Sequence, residues 1–414
     1  MRIRSRAKHR VRRKGLGRPF WRLWSGFTLA SWGDGMLAGA VPLLAVFVNP
    51  NPLAVSSVVA ADRVPWLLLA LPAGAFADKF SRGPLMAITN VLRAAAIAVG
   101  AYVIVGGHID LAVLIVVVLL NASGRAIYYS SLQAVVPDIV PADALEYSNG
   151  VLIGAETGAE SLVGPIVGTW FFAIDKALPF FTDAISLVLS CIPLVGFRSK
   201  APKSGASTPS VLEGVRILWD DRRLRYLILM VASLAGLQGM ETGVLVLLAT
   251  TVWGVGTGAY GLFLAFGAVG GLLGSLAANR LVRRFKSAKT LIIAGVVSGA
   301  SYLVMAVADR WQLAAPAFAV VSFAASTGAV VSVAMRQRLT PPEAMGRVGA
   351  ASRGIVWGAA PVGALLAGTL ASLAGLRLPL VLAGSLQCIV TLVLARPLLK
   401  ALGADASVPL RPTR

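Results

Sequence analysis

Residues 74–83 read Gly-Ala-Phe-Ala-Asp-Lys-Phe-Ser-Arg-Gly, a turn set between two long apolar runs at 54–77 and 84–106. The turn is too short to leave a membrane surface, and it gathers Asp78, Lys79 and Arg82 within five residues. A helix that ends near Asp78 has its partial negative pole there, so a carboxylate at that place needs a partner. Lys79 and Arg82 are the local cations, and the positive N-terminus of another helix would serve as well.

The apolar runs on either side belong to a longer series. The chain has 414 residues, 57% of them hydrophobic and 14% charged, with a mean hydropathy of +0.78. Soluble proteins carry about 25% charged residues, so most of this surface is expected to face lipid. A stretch of about 20 apolar residues suffices to cross a bilayer. Such stretches fall at 24–48, 54–77, 84–106, 110–131, 149–171 and 177–197, then at 226–251, 259–279, 288–308, 312–335, 350–371 and 376–395. The expected fold is all-α, with twelve transmembrane helices.

The net charge of +20 would suggest nucleic acid in a soluble protein. Here its distribution speaks for topology instead. With both termini on one side, the opposite loops hold only Lys176, Arg310 and Arg377, and the span interiors only Arg63, Arg93 and Arg125; the rest of the 38 lysines and arginines share the side of the termini. By the positive-inside rule that side is the cytoplasm, which predicts a multi-pass plasma-membrane protein. The basic N-tail, 1–22, precedes a span too long for a signal-peptide core and lacks a small-residue cleavage site, so it is expected to stay attached. It reads as a topology anchor and a contact for anionic lipid, with no nucleic-acid role.

The two halves match at an offset of about 200 residues. Gly74-Ala-Phe-Ala-Asp78 faces Gly274-Ser-Leu-Ala-Ala278, the basic turn at 79–82 faces Arg280 to Arg284, and Gly164-Pro165-Ile-Val-Gly168 faces Ala360-Pro361-Val-Gly363. Two six-helix repeats are expected, at 23–198 and 225–396, with a linker at 199–224 and a C-tail at 397–414. In the linker, apolar residues 211, 212, 215, 218 and 219 fall on one face of a short interfacial helix. Parallel repeats of this kind place a substrate site between them near the midplane.

An ionisable group at the bilayer centre costs at least about 2.5 kcal/mol, so each one invites a functional reading. Asp34, flanked by Gly33 and Gly35, lies about 15 Å into the first span at about 1.5 Å per residue. Arg63 lies at a similar depth in the second span, and an Asp34–Arg63 pair is expected. Glu156 and Glu160 are four apart and share a helix face. With Arg125 in the fourth span and Arg93 in the third they can form a buried network. Asp34, Glu156, Glu160 and Arg125 are the candidates for proton coupling, and Arg63 and Arg93 for charge pairing. Asp183 and Glu241 fall toward the outer side, where they either line a substrate path with Gln238 and Met240 or simply meet water. No phosphate loop of the form G-x-x-x-x-G-K-[ST] is present, so ATP is not the direct energy source. The only histidines, His9 and His108, lie outside the spans, and neither a metal-binding cluster nor a G-x-S-x-G elbow occurs, so no enzyme, metal or cofactor is expected. Cys191 and Cys388 are expected to stay reduced and to fill space.

The pattern G-x-x-x-D-[RK]-x-x-[RK] at Gly74, Asp78, Lys79 and Arg82, closed by Gly83, resembles the signature loop between helices 2 and 3 of the major facilitator superfamily. That resemblance implies that Asp78 latches the two halves together on the cytoplasmic side. The fifth span reads TGAESLVGPIVGT and is similar to the glycine-rich motif of the family's drug:proton antiporters: Gly164, Pro165 and Gly168 match, while Glu160 and Thr169 stand where two glycines would be. Ser31 to Met36, Leu71 to Asp78 and Val136 to Asp143 look most like the branch of macrolide and siderophore exporters. The resemblance also implies a proton-transfer role for an arginine of the fourth span, here Arg125, although its surroundings lack the usual glycines. The implied protein is a monomeric secondary transporter that exports a drug-like or natural-product molecule by alternating access, driven by the proton gradient. A nutrient importer or uniporter on the same fold, and a non-transporting sensor or assembly partner, are the other readings.

Overall fold

In lipid every backbone polar group must be satisfied within its own segment, and long apolar runs therefore become helices. The computed structural model describes residues 16–79, 81–141, 144–195 and 211–403, with side chains at 70–79, 211 and 402–403 excepted. Among the described residues there is no strand. The first half comprises α1 (Gly17–Val48), α2 (Pro52–Lys79), α3 (Arg82–Val105), α4 (Leu111–Ile139), α5 (Leu145–Glu156), α6 (Gly164–Ile174) and α7 (Leu178–Cys191). After α8 (Val211–Asp220), the second half comprises α9 (Arg222–Leu247), α10 (Tyr260–Phe285), α11 (Ser287–Val307), α12 (Trp311–Leu339), α13 (Met345–Ala374) and α14 (Leu378–Gly403).

Ten of the described helices are long and apolar enough to cross a bilayer. The two other expected spans differ from plain helices. The sixth is short, Leu178–Leu194. The fifth is divided, because α5 runs into a π-helical segment, Thr157–Val163, before continuing as α6. Proline at 165 explains the division: it has no N–H to offer the carbonyl four residues back and its ring crowds that carbonyl, so the backbone widens over the preceding turn.

Within the first half α1 packs on α6 and α7, and α3 on α4 and α7; in the second, α9 packs on α13 and α14, and α11 on α12 and α14. The halves meet through α2 against α13 and α6 against α10. Small residues permit close approach at the pseudo-equivalent seams. A Cβ added to Gly168 would lie 2.5 Å from Met36 Cα, and one added to Gly363 would strike the Gly236 carbonyl.

The basic residues Arg280, Arg283, Arg284 and Lys286 lie at one end of the molecule, with the α2–α3 turn. At the opposite end the halves are sealed to each other. There Gly261 N–H donates to Thr169 Oγ1 (3.1 Å), which donates to Gly258 O at 3.4 Å, and Ser372 Oγ donates to Asn51 Oδ1 at 3.3 Å. Toward the basic end, Gly150 and Gly154 of α5 and Gly354 of α13 face open space, since an added Cβ meets nothing within 4 Å.

The helix expected over 211–219 forms as α8 and packs on α13, where Glu213 pairs with Arg347. Asp221 caps α9 by accepting the Arg223 N–H at 2.8 Å. Burial would raise its pKa, but hydrogen bonds from the Arg223 side chain and backbone outweigh that and hold the carboxyl below its ordinary value. A lowered carboxyl pKa contributes stability above the unfolded-state pKa, and that contribution disappears as the pH falls through the folded-state value. Asp221→Ala is therefore expected to cost about 1 kcal/mol at neutral pH, with the gap to wild type narrowing in acid when unfolding is followed at both pH values. Both cysteines are free thiols.

Candidate functional site

The α3 helix buries a polar face, Thr89, Asn90 and Arg93, against α1, α4 and α7. Arg93 is 1% exposed and pairs through Nη2 with Asp34 Oδ1, itself 3% exposed. Its other donors are also used: Nε donates to Asn121 Oδ1 (2.9 Å) and Nη1 to Asn90 Oδ1 (3.1 Å), while Asn90 Nδ2 donates to Ser190 Oγ (2.8 Å). Room for the guanidinium stem comes from Gly124, where an added Cβ would lie 2.5 Å from Arg93 Cγ. Burying two ions costs several kcal/mol each unless the remaining donors are satisfied, and these are.

Beside this tight pair sits a looser one. Arg125 Nη1 lies 3.8 Å from Asp34 Oδ1 and 3.5 Å from Glu160 Oε1, with 15% and 18% of the Arg125 and Glu160 side chains exposed. Tyr129 OH donates to Glu156 Oε1 at 2.8 Å and lies 3.4 Å from Glu160 Oε2. The Arg125 guanidinium also rests over the Trp66 ring at 5.5 Å. Trp66 meets Tyr129 and Trp357 edge-on, each at 5.6 Å, so the aromatic contacts reach α13 of the second half. A cation held between two acids at such lengths can exchange partners, which the Arg93 pair cannot do without orphaning several groups.

The structure thus gathers Asp34, Arg93, Arg125, Glu156 and Glu160 into one network, and it corrects three expectations. Arg63 does not pair with Asp34: its side chain is 53% exposed and lies 3.8 Å from Asp62. The cause is the course of α2, which packs on α4 and α13 far more than on α1. Asp183 does not meet water, being fully buried against Gly33, where an added Cβ would strike Oδ1. Ser186 Oγ donates to Asp183 Oδ1 at 3.3 Å, and Oδ2 accepts no hydrogen bond among the described residues. Glu241 is likewise 1% exposed, with Oε1 accepting none among those residues. Met240 is buried, whereas Gln238 is exposed.

In the 74–83 turn, the side chains of Gly74, Asp78 and Lys79 lie outside the described residues. Gly83 is buried, and Arg82 Nη1 reaches α4, donating to Asp138 Oδ2 (2.6 Å) and Ala134 O (2.7 Å). In the fifth-span motif, a Cβ on Gly164 would lie 2.6 Å from Gly35 Cα, and Pro165 is buried with it. Asn90, Asn121, Ser190, Trp66 and Trp357 also belong to the network, and sequence reasoning misses them. Asn90 is the findable one, since it precedes Arg93 by one helical turn on the same face.

Two repeated helical bundles, tied to each other by hydrogen bonds at one end and holding a buried ion network in the first half, define an integral membrane transporter of the major facilitator type. The profile of one family, described as transmembrane secretion effector (MFS_3), matches residues 17–413. The chain belongs to that family. The multidrug efflux pump Tap of Mycolicibacterium fortuitum is 27% identical over 361 residues, which cover 84% of this chain and 88% of that protein. A bacterial homologue of the iron transporter ferroportin, crystallised in an inward-facing state, superposes with a TM-score of 0.71 at 16% identity over 93% of this chain and 98% of that one. A bacterial homologue of the human lysosomal transporter Spinster gives a TM-score of 0.71 at 12% identity, covering 95% and 98%.

Proposed function

We propose that the protein exports a drug-like or natural-product small molecule across the plasma membrane, exchanging it for protons by alternating access. The observation that supports this most is the placement of Arg125 between Asp34 and Glu160, within reach of both carboxylates. On the positive-inside rule the basic end is cytoplasmic and both termini lie there, the side from which an exporter loads. A substrate carrying a cation or hydrogen-bond donors competes with Arg125 for Glu160 and with Tyr129 for Glu156. Once the substrate path opens to the other side, protonation of Asp34 removes the charge that holds Arg93 and frees α1 to move against α3. Substrate leaves and protons enter on the return. The Asp78 turn latches the basic end in the opposite state, the N-tail rests on anionic lipid, and a monomer with no cofactor besides the proton gradient suffices.

The test uses inverted membrane vesicles made acidic inside and a pH-sensitive dye. Macrolides, tetracyclines, lipophilic cations and siderophores are added in turn to wild type and to Asp34→Asn. The expected result is that at least one compound dissipates the gradient with wild type and fails to do so with Asp34→Asn. If no compound does, while the purified protein still moves a solute down its gradient, antiport gives way to facilitated uptake.

A further inference from the structure

The two halves use corresponding seams. Cβ atoms added to Gly35 and Gly39 of α1 would meet the carbonyls of Glu160 and Pro165; those added to Gly239 and Gly243 of α9 would meet the carbonyls of Ala360 and Ala364. In the first half Asn90 of α3 bonds to Ser190 of α7. In the second, Gly295 of α11 meets α14, accepting from Gln387 Nε2 at 3.2 Å.

Among α9, α11, α12, α13 and α14 of the second half lies a cavity of about 130 Å³. Its polar lining is Gln238, Ser298, Tyr302, Ser332 and Gln387, and its walls include Ala325 and Gly328. Ser298, Tyr302 and Gln387 are buried, while Gln238 is exposed at one side. No charged side chain lines it among the described residues. The size is close to the cavity of about 150 Å³ that accepts benzene in a protein core. An ion entering such a space would lose its hydration without a countercharge, whereas a neutral ring keeps its contacts and an amide or hydroxyl on it finds partners.

We propose that this cavity is a binding subsite for an uncharged, ring-sized group bearing an amide or hydroxyl. Charge handling then belongs to the first half and recognition of a neutral moiety to the second. The assignment deepens the export reading by locating part of the substrate. It is tested by binding alone, so it stands or falls separately from proton coupling.

The probes are benzamide and its charged near-isosteres benzamidine and benzoate, titrated against full-length protein in lipid nanodiscs, with empty nanodiscs as background and the unfolding midpoint as readout. Benzamide is expected to raise the midpoint saturably, and neither charged probe to do so. Ala325→Leu, which fills the cavity, is expected to abolish the shift. Ser298→Ala keeps the space but removes a hydroxyl, and is expected to weaken benzamide by about fivefold to tenfold, the loss of one hydrogen bond. Because Ser298→Ala is a conservative change, it decides the matter even if Ala325→Leu fails to fold. The proposal is overturned if benzamide does not bind saturably, if the three probes bind alike, or if Ser298→Ala binds benzamide as wild type does.

Discussion

Replacing Arg93 by methionine is expected to cost about 3–5 kcal/mol of stability, the usual loss when one partner of a buried ion pair is removed. Asp34 would remain 3% exposed with Arg125 Nη1, 3.8 Å away, as the nearest cation. Asn90 and Asn121 would each lose a donor at the same time. The double variant Asp34→Asn/Arg93→Met removes the stranded charge and is expected to recover much of the loss. Unfolding of wild type, both single variants and the double variant in mixed detergent micelles gives the coupling energy directly. A single-variant loss below about 1 kcal/mol, the scale of an exposed pair, would mean that this pair does not tie α1 to α3.

The second large effect is steric. At Gly168 an added Cβ would lie 2.5 Å from Met36 Cα, a main-chain atom that no rotamer change can move. Gly168→Ala must push α1 and α6 apart, and the expected cost is about 3 kcal/mol or more, at the upper end of overpacking penalties. Gly154, in the same span, supplies the control, because an added Cβ there meets nothing within 4 Å. Gly154→Ala is expected to be neutral or stabilising by up to about 1 kcal/mol, the difference in helix propensity. The same micelle unfolding assay compares them. Equal behaviour of the two variants would show that α1 and α6 tolerate separation.

Depth in the membrane is legible from the sequence, and direction around the helix axis is not. Counting residues from the end of each span places Asp34, Arg63, Arg93 and Arg125 at comparable heights. Which arginine faces Asp34 depends on helix rotation, and a helix apolar on every side offers no amphipathic stripe to fix it. Adjacency in sequence therefore favours Arg63, although α2 leaves α1 to pack on α4 and α13. Asp183 and Glu241 escape sequence reasoning for the related reason that burial depends on a neighbour, Gly33 in the case of Asp183. The helix series and the internal repeat are readable because lipid demands both length and apolarity. Pro165 stands out as part of a motif, but its local consequence, a widened turn rather than a simple bend, required coordinates.

That widened turn, Thr157–Val163, closes its hydrogen bonds over five residues instead of four. It behaves as one residue of slack wound into a screw. Taking up the slack would turn α5 by about 100° and draw it along its axis by about 1.5 Å relative to α6. Gly164 and Gly168 lie on the clamped side, against α1, and Glu156 lies on the side that turns. A change of one residue's worth of thread would thus swing a carboxylate away from Tyr129 and shift the Glu160 carbonyl against Gly35, while Gly168 keeps its place on Met36.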